Sequence, residues 1–154
     1  MVLPLLLLLL FGAVEFGRAI ITFTSVHTAA REGARYATTV GESATPGVLH
    51  YFDCDGIREA ARAKAPMLDL ADSDIEVVYD GGPDPSSPST PPPVFADCQG
   101  GAPPTEDGVP SGSRIVVRVE TEFESPVPII SSFLGTLSIE SEQARTLFKG
   151  EISG

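Results

Sequence analysis

Two cysteines, two histidines, a cluster of aspartates and one ion pair set in apolar sequence are the side chains available for chemistry. Cys54 and Cys98 are the only cysteines. Two thiols are too few for a structural zinc site, and neither sits in a CxxC pair. In an exported head, one disulfide is the simplest reading. It would close a loop of about 45 residues and contribute about 4 kcal/mol on the chain-entropy model. The alternative is two separate buried thiols. His27 and His50 have no partner at metal or general-base spacing, so ordinary surface or helix-face placement is expected. No Ser-His-Asp or Cys-His arrangement is suggested, and no glycine-rich phosphate loop follows a strand. No catalytic, cofactor-binding or metal-ligating residue is therefore assigned, and the chain reads as a non-enzyme.

Asp69, Asp72, Asp74, Asp80 and Asp84 are oxygen donors of the kind a hard cation takes. They lack EF-hand spacing, and solvated loop carboxylates are the plainer reading. Ser86, Ser87, Ser89 and Thr90 stand among prolines and resemble an O-glycosylated stalk, with a bare extended loop as the alternative. There is no Asn, hence no N-glycosylation acceptor.

Glu15 and Arg18 are the informative pair. A charge at a bilayer centre costs roughly 2.5–3.5 kcal/mol on insertion scales, so each needs a partner or the interface. Their i,i+3 spacing lets them pair within one helix at a membrane rim. The sharper alternative is a pair made across subunits in a filament core, where buried polar groups fix register. Gly12 and Gly17 suit close helix–helix contact. Ala30, Gly33, Ala34 and Ala37 suit a head packed on the same helix.

The elements that must position these residues begin with an apolar run, VLPLLLLLLFGAV over 2–14. Thirteen residues reach about 20 Å as a helix, short of the ~30 Å hydrocarbon core. Apolar character resumes past Glu15, Gly17 and Arg18 as far as Val26, which makes the segment long enough to span. No basic region precedes the run and no small-x-small site follows Val14, so a secretory signal peptide is not the expectation. Phe16, Ile20, Phe23, Ala30, Ala34 and Ala37 recur at helical spacing and are expected on one face. One helix is expected over about 2–40, stopped at Gly41.

Asp55 is the expected cap of a short helix from Gly56 to about Ala65, broken by Pro66. IEVVY (75–79) reads as a strand. Residues 80–113 are too rich in Pro and Gly for regular structure. RIVVRVETEFE (114–124) alternates, with Ile115, Val117, Val119, Thr121 and Phe123 inward. SPVPIISSFLG is expected to connect it, with an apolar anchor, to a last strand from Thr136 to about Phe148 that turns Leu137 and Ile139 to the core.

The expected fold class is α+β. A long N-terminal transmembrane or filament-core helix packs its C-terminal half on a small three-stranded antiparallel head. Two regions follow: 1–40, the hydrophobic helix, and 41–154, an extracytoplasmic head with a Pro/Gly-rich loop over 80–113. The formal net charge is -11. Residues 1–50 hold three acids and three bases, and the remaining 18 acids and 7 bases follow. That places a neutral stalk before an acidic, self-repelling head and argues against nucleic acid as a partner.

The order of these pieces resembles the TadE-like proteins, minor-pilin or pseudopilin components of tight-adherence pili. The likeness is carried by VLPLLLLLLFGAVEFGRA (2–19) and AAREGARYA (29–37). GIREAARAKA (56–65), LDLADSDIEVVYDGG (68–82) and the segments RIVVRVETEF and PVPIISSFLGTLSIESEQART support it. The family's basic leader, peptidase-site glycine and early Glu-Phe do not precede Val2 here. The resemblance implies a type IV pilin-like architecture and a structural subunit of a bacterial extracellular filament. Its partners would be copies of itself, the membrane before assembly, the pilus assembly machinery and a prepilin peptidase. It would lie in the inner membrane first and on the cell surface afterwards. The alternative is a single-pass anchored binding or assembly-accessory module that does not polymerise.

Overall fold

A computed structural model describes residues 2–87, 90–99, 105, 108–125 and 135–148. The first element is α1, Leu3–Ala37, a helix of 35 residues that rises about 52 Å at 1.5 Å per residue. It ends before Gly41, three residues earlier than expected. Thr38, Thr39 and Val40 are β-branched in succession, which disfavours another turn. The hydroxyls of Thr38 and Thr39 also close the end, Thr38 Oγ1 donating to the Ala34 and Arg35 carbonyls at 3.1 Å and Thr39 Oγ1 to Arg35 at 3.2 Å. Gly41 takes up the reversal after the helix, with φ 109°.

A turn of 3-10 helix (His50–Phe52) leads into α2, Cys54–Arg62. Its cap is Asp53 and not Asp55: the Asp53 carboxylate accepts from the Gly56 N–H at 3.0 Å, and Asp55 lies inside the first turn. Four strands follow: β1 (Ile75–Asp80), β2 (Val94–Asp97), β3 (Arg114–Phe123) and β4 (Leu137–Thr146). They form one antiparallel sheet in the order β2-β1-β3-β4. Four strands stand where three were expected. VFAD lies inside the Pro/Gly-rich region yet pairs with the free edge of β1, Val78 opposite Asp97. Proline-flanked residues are tolerated at an edge because only one side of such a strand must donate. The rest of 80–113 is partly outside the described residues, as are residues 126–134 of the expected connection.

Alternation on β3 places Ile115, Val117, Val119 and Phe123 against α1. Opposite registers align Val77 with Val117 and Val119 with Ser141. Ile139 packs at the margin of the core, while Leu137 is 41% exposed. The core forms where the C-terminal half of α1 meets α2 and the sheet, through Val26, Ala29, Ala30, Ala34, Ile57, Ala61 and Tyr79. Gly33 is the closest approach. A Cβ there would stand 3.1 Å from Val117 Cγ1 and 3.4 Å from the Ile57 carbonyl. The face expected from Phe16 through Ala37 does not act as one face. Ala30, Ala34 and Ala37 are buried, whereas Phe16, Ile20 and Phe23 stay exposed. Bulky side chains cannot enter a contact that brings a helix backbone this near a sheet.

Candidate assembly surface and charge pair

The N-terminal half of α1 is the largest exposed apolar surface among the described residues. Leu5 to Leu10, Phe11, Val14, Phe16, Ile20, Ile21 and Phe23 are all open. Their spread around the whole circumference follows from the leucine run, in which no polar face exists. This helix alone among the described residues is long and apolar enough to cross a membrane. Gly12 and Gly17 lie along it, and a Cβ at either would meet nothing within 4 Å. Both therefore leave a gap in the side-chain surface that the chain itself does not fill.

Within this apolar half Glu15 is 8% exposed. Its carboxylate accepts two hydrogen bonds from Arg18 Nη1, at 3.1 and 3.2 Å. Arg18 in turn lies over the Phe123 ring, 5.6 Å from its centroid. The i,i+3 pair is therefore made within one chain and tied to the end of β3. The head therefore does not leave the N-terminal half of α1 untouched. Head contact reaches down to Arg18, and Ile21 and Arg18 share a groove with Met67, Leu68 and Phe123. No sequence signal links Arg18 to Phe123, because their proximity depends on where the sheet ends along α1.

Cys54 and Cys98 are joined by a disulfide. Cys54 opens α2 and Cys98 directly follows β2, so the bond ties the short helix to the edge strand. Two further contacts fasten the same corner. The Cys98 N–H donates to the Val77 carbonyl at 2.9 Å, and Arg58 Nη2 donates to the Cys98 carbonyl at 2.7 Å. Arg58 is buried, with Asp55 3.6 Å away. The Tyr79 hydroxyl donates to the Tyr51 carbonyl, and burial pushes its pKa well up.

His27 Nδ1 lies 3.1 Å from Ser141 Oγ, which joins α1 to β4, and His50 Nδ1 lies 2.9 Å from the Gly41 carbonyl. The two histidines are not brought together. The aspartates considered for calcium are likewise dispersed. Asp80 makes a two-point ion pair with Arg114 at 2.8 Å, Asp72 pairs with Arg62, Asp74 accepts from the Ala71 N–H and Asp84 from Ser86. Burial alone would raise the Asp80 carboxyl, but Arg114 and the Gly82 N–H hold it below the usual carboxylate range. Asp53 is similar: burial opposes ionisation, and hydrogen bonds from Gly56, Ser43 and Tyr36 outweigh it. Ser86, Ser87 and Thr90 are exposed, and Ser89 lies outside the described residues. On the outer sheet face Arg118 sits within 2.7 Å of Glu76, Glu140 and Glu142. There it relieves the directly opposed Glu120 and Glu140.

No curated protein and no solved structure matches the chain. A family model does, and its match covers residues 1–35, the α1 segment that carries the leucine run, the Glu15–Arg18 pair and the start of the head contact. The fold agrees with that likeness, being an α+β arrangement of a long apolar helix on a small antiparallel sheet. Over residues 1–35 the chain is similar to the TadE-like protein family.

Proposed function

We propose that the chain is a structural subunit of a bacterial pilus-type filament, assembled through the N-terminal half of α1. The observation that carries this reading is a single 35-residue helix whose two halves differ. One half is packed on the head, and the other, apart from the Glu15–Arg18 pair, is apolar and largely exposed. An exposed apolar surface of that extent is stable in water only when covered. Before assembly the bilayer covers it, and afterwards the same helix of neighbouring copies does. Gly12 and Gly17 are the points of closest helix–helix approach, since each leaves open space in the single chain. The head, from residue 41 on, stays outside, stapled by Cys54–Cys98. The likeness of residues 1–35 to TadE-like proteins supports, as part of this reading, the pilus assembly machinery and a prepilin peptidase as partners.

One observation favours the alternative, an anchored module that does not polymerise. Glu15 is already satisfied by Arg18 of its own chain, so no charge is left that demands a neighbour. The test is to shear surface filaments from cells, image them and identify their subunits by mass spectrometry. Ordered filaments containing this chain as a repeating component are expected. Its confinement to the membrane fraction, with filaments built of other chains, would favour the anchored module.

A further inference from the structure

One stripe of α1 stays apolar and open at a height where the head has already begun. Phe16, Ile20, Phe23 and His27 follow one another at helical spacing. His27 meets Ser141 of β4, so the stripe runs along the β4 flank of the helix. Two contacts fix the heights. Arg18 lies over Phe123, which pairs with Leu137, and His27 meets Ser141. From Arg18 to His27 the helix rises about 14 Å, and from Leu137 to Ser141 the strand also rises about 14 Å. The two elements climb together, which sets Ile20 and Phe23 beside Leu137 and Ile139. β4 ends the sheet, so among the described residues no further strand closes this side. Ile20 is 46% exposed, Phe23 57% and Leu137 41%.

Lipid does not account for the cover this flank needs. Glu120, Glu122 and Glu124 are exposed around the same end of β3 as Phe123. Hydrocarbon deep enough to reach Phe23 would immerse those carboxylates as well. The cover is therefore an apolar surface of protein. Charge says which protein. Farther along the flank stand Arg31 and Arg145, the latter on the α1 side of β4 opposite Ile115. Among the described residues these are the two arginines held in no ion pair. A chain of net charge -11 meets positive potential here, unlike at the outer sheet face. We propose that a second copy of this chain lies on the flank, its Leu5–Leu10 run packed against Ile20, Phe23 and Leu137. The proposal rests on the filament reading and adds to it a contact between one copy's helix and another's head. Bringing the leucine run level with Ile20 and Phe23 shifts one copy along the other by about 20 Å. The shift sets the two acidic heads at different heights. The neighbour's helix also covers the lower end of the open β4 edge, which guards it against strand pairing.

A photo-reactive amino acid is placed at position 137 of the full chain, and filaments sheared from irradiated cells are mapped by mass spectrometry. Covalent dimers joining position 137 to Leu5–Leu10 of another copy are expected. The same label at position 67, on the Arg18 and Ile21 side of α1, should not reach that run. Leu137→Lys should cut filament yield at least about tenfold, the scale of one charge set into an apolar contact. Met67→Lys should leave the yield unchanged. Both side chains are exposed in the single chain, so equal melting of the full chain in detergent checks that each variant folds. Absence of the wild-type chain from filaments removes the filament reading and this contact with it. Filaments that contain the chain but show no link from position 137 to the leucine run, or a link to another protein, overturn the flank contact alone. So does a normal yield from Leu137→Lys.

Discussion

Replacing Cys54 and Cys98 together by alanine is expected to cost about 4 kcal/mol of stability on the chain-entropy model. The two cysteines lie 44 positions apart, and a cross-link over that length removes much of the freedom of the unfolded chain. The native corner should survive, because it does not depend on the bond alone. The ladder contact from Cys98 to Val77 and the Arg58 hydrogen bond to the Cys98 carbonyl are both backbone contacts that alanine preserves. The loss therefore falls mainly on the unfolded state. If the end of β2 frays as well, buried Arg58 loses its acceptor and a further ~1–3 kcal/mol goes with it. Urea unfolding of the full chain in detergent micelles separates the two cases. Loss through the unfolded state lowers the midpoint and raises the slope, since the uncross-linked chain exposes more surface. Wild type under reductant should reproduce the double variant. A loss below about 1 kcal/mol would refute the reasoning by showing that the unfolded chain is restrained without the bond. Two alkylatable thiols in native exported material would refute the bond itself.

Gly33→Leu is expected to destabilise the head by about 1–3 kcal/mol through overpacking against Val117 and Ile57. Gly33→Ala should be nearly neutral, because the ~1 kcal/mol gained in helix propensity offsets the tight 3.1 Å contact; thermal melting checks both. Asp80 has a folded pKa below its unfolded value, so its contribution is complete above about pH 4 and is lost as pH falls through the folded value. Asp80→Asn should lower stability at neutral pH and flatten the decline on acidification, and an unchanged acid limb would count against the Arg114 pair. Glu15→Ala should reduce filament yield more than Glu15→Leu combined with Arg18→Leu, since only the single change strands a cation. With Arg18 half exposed, the effect should stay below the about 3–5 kcal/mol of a fully buried pair. Normal assembly of the single variant would place the pair at a wet rim.

The features legible in the sequence were those carried by strong periodicity or by elimination. The leucine run announced a helix needing external cover, and alternation from Arg114 to Phe123 gave β3 its inward residues. The failures share a cause: they depend on distant partners. VFAD has no pattern of its own and becomes a strand only because β1 offers an edge. Asp53 caps α2 in place of Asp55 through local geometry that spacing does not distinguish. Phe16, Ile20 and Phe23 share helical spacing with the buried alanines, yet the sheet tolerates only the small residues. Arg18 could be read as a partner for Glu15, but its place over Phe123 depends on how far β3 extends along α1.

The sizes of side chains along α1 are an argument about assembly in themselves. Where the head packs, the helix presents Ala29, Ala30, Gly33, Ala34 and Ala37, and the sheet comes close on one stripe. Where the head ends, leucine and phenylalanine occupy every direction. A head-sized domain can cover one stripe of a helix and never its circumference, so no refolding of the head would bury the N-terminal half. The charge distribution limits what else can. The net charge of -11 falls wholly beyond residue 50, and the outer sheet face sets Glu76, Glu140 and Glu142 around a single Arg118, with Glu120 directly opposite Glu140. Copies brought together through such faces would repel over about a Debye length. The N-terminal half of α1, where Arg18 offsets Glu15, carries no such penalty. In the proposed filament, contact between copies is thereby directed to α1, with the acidic heads held apart on the outside.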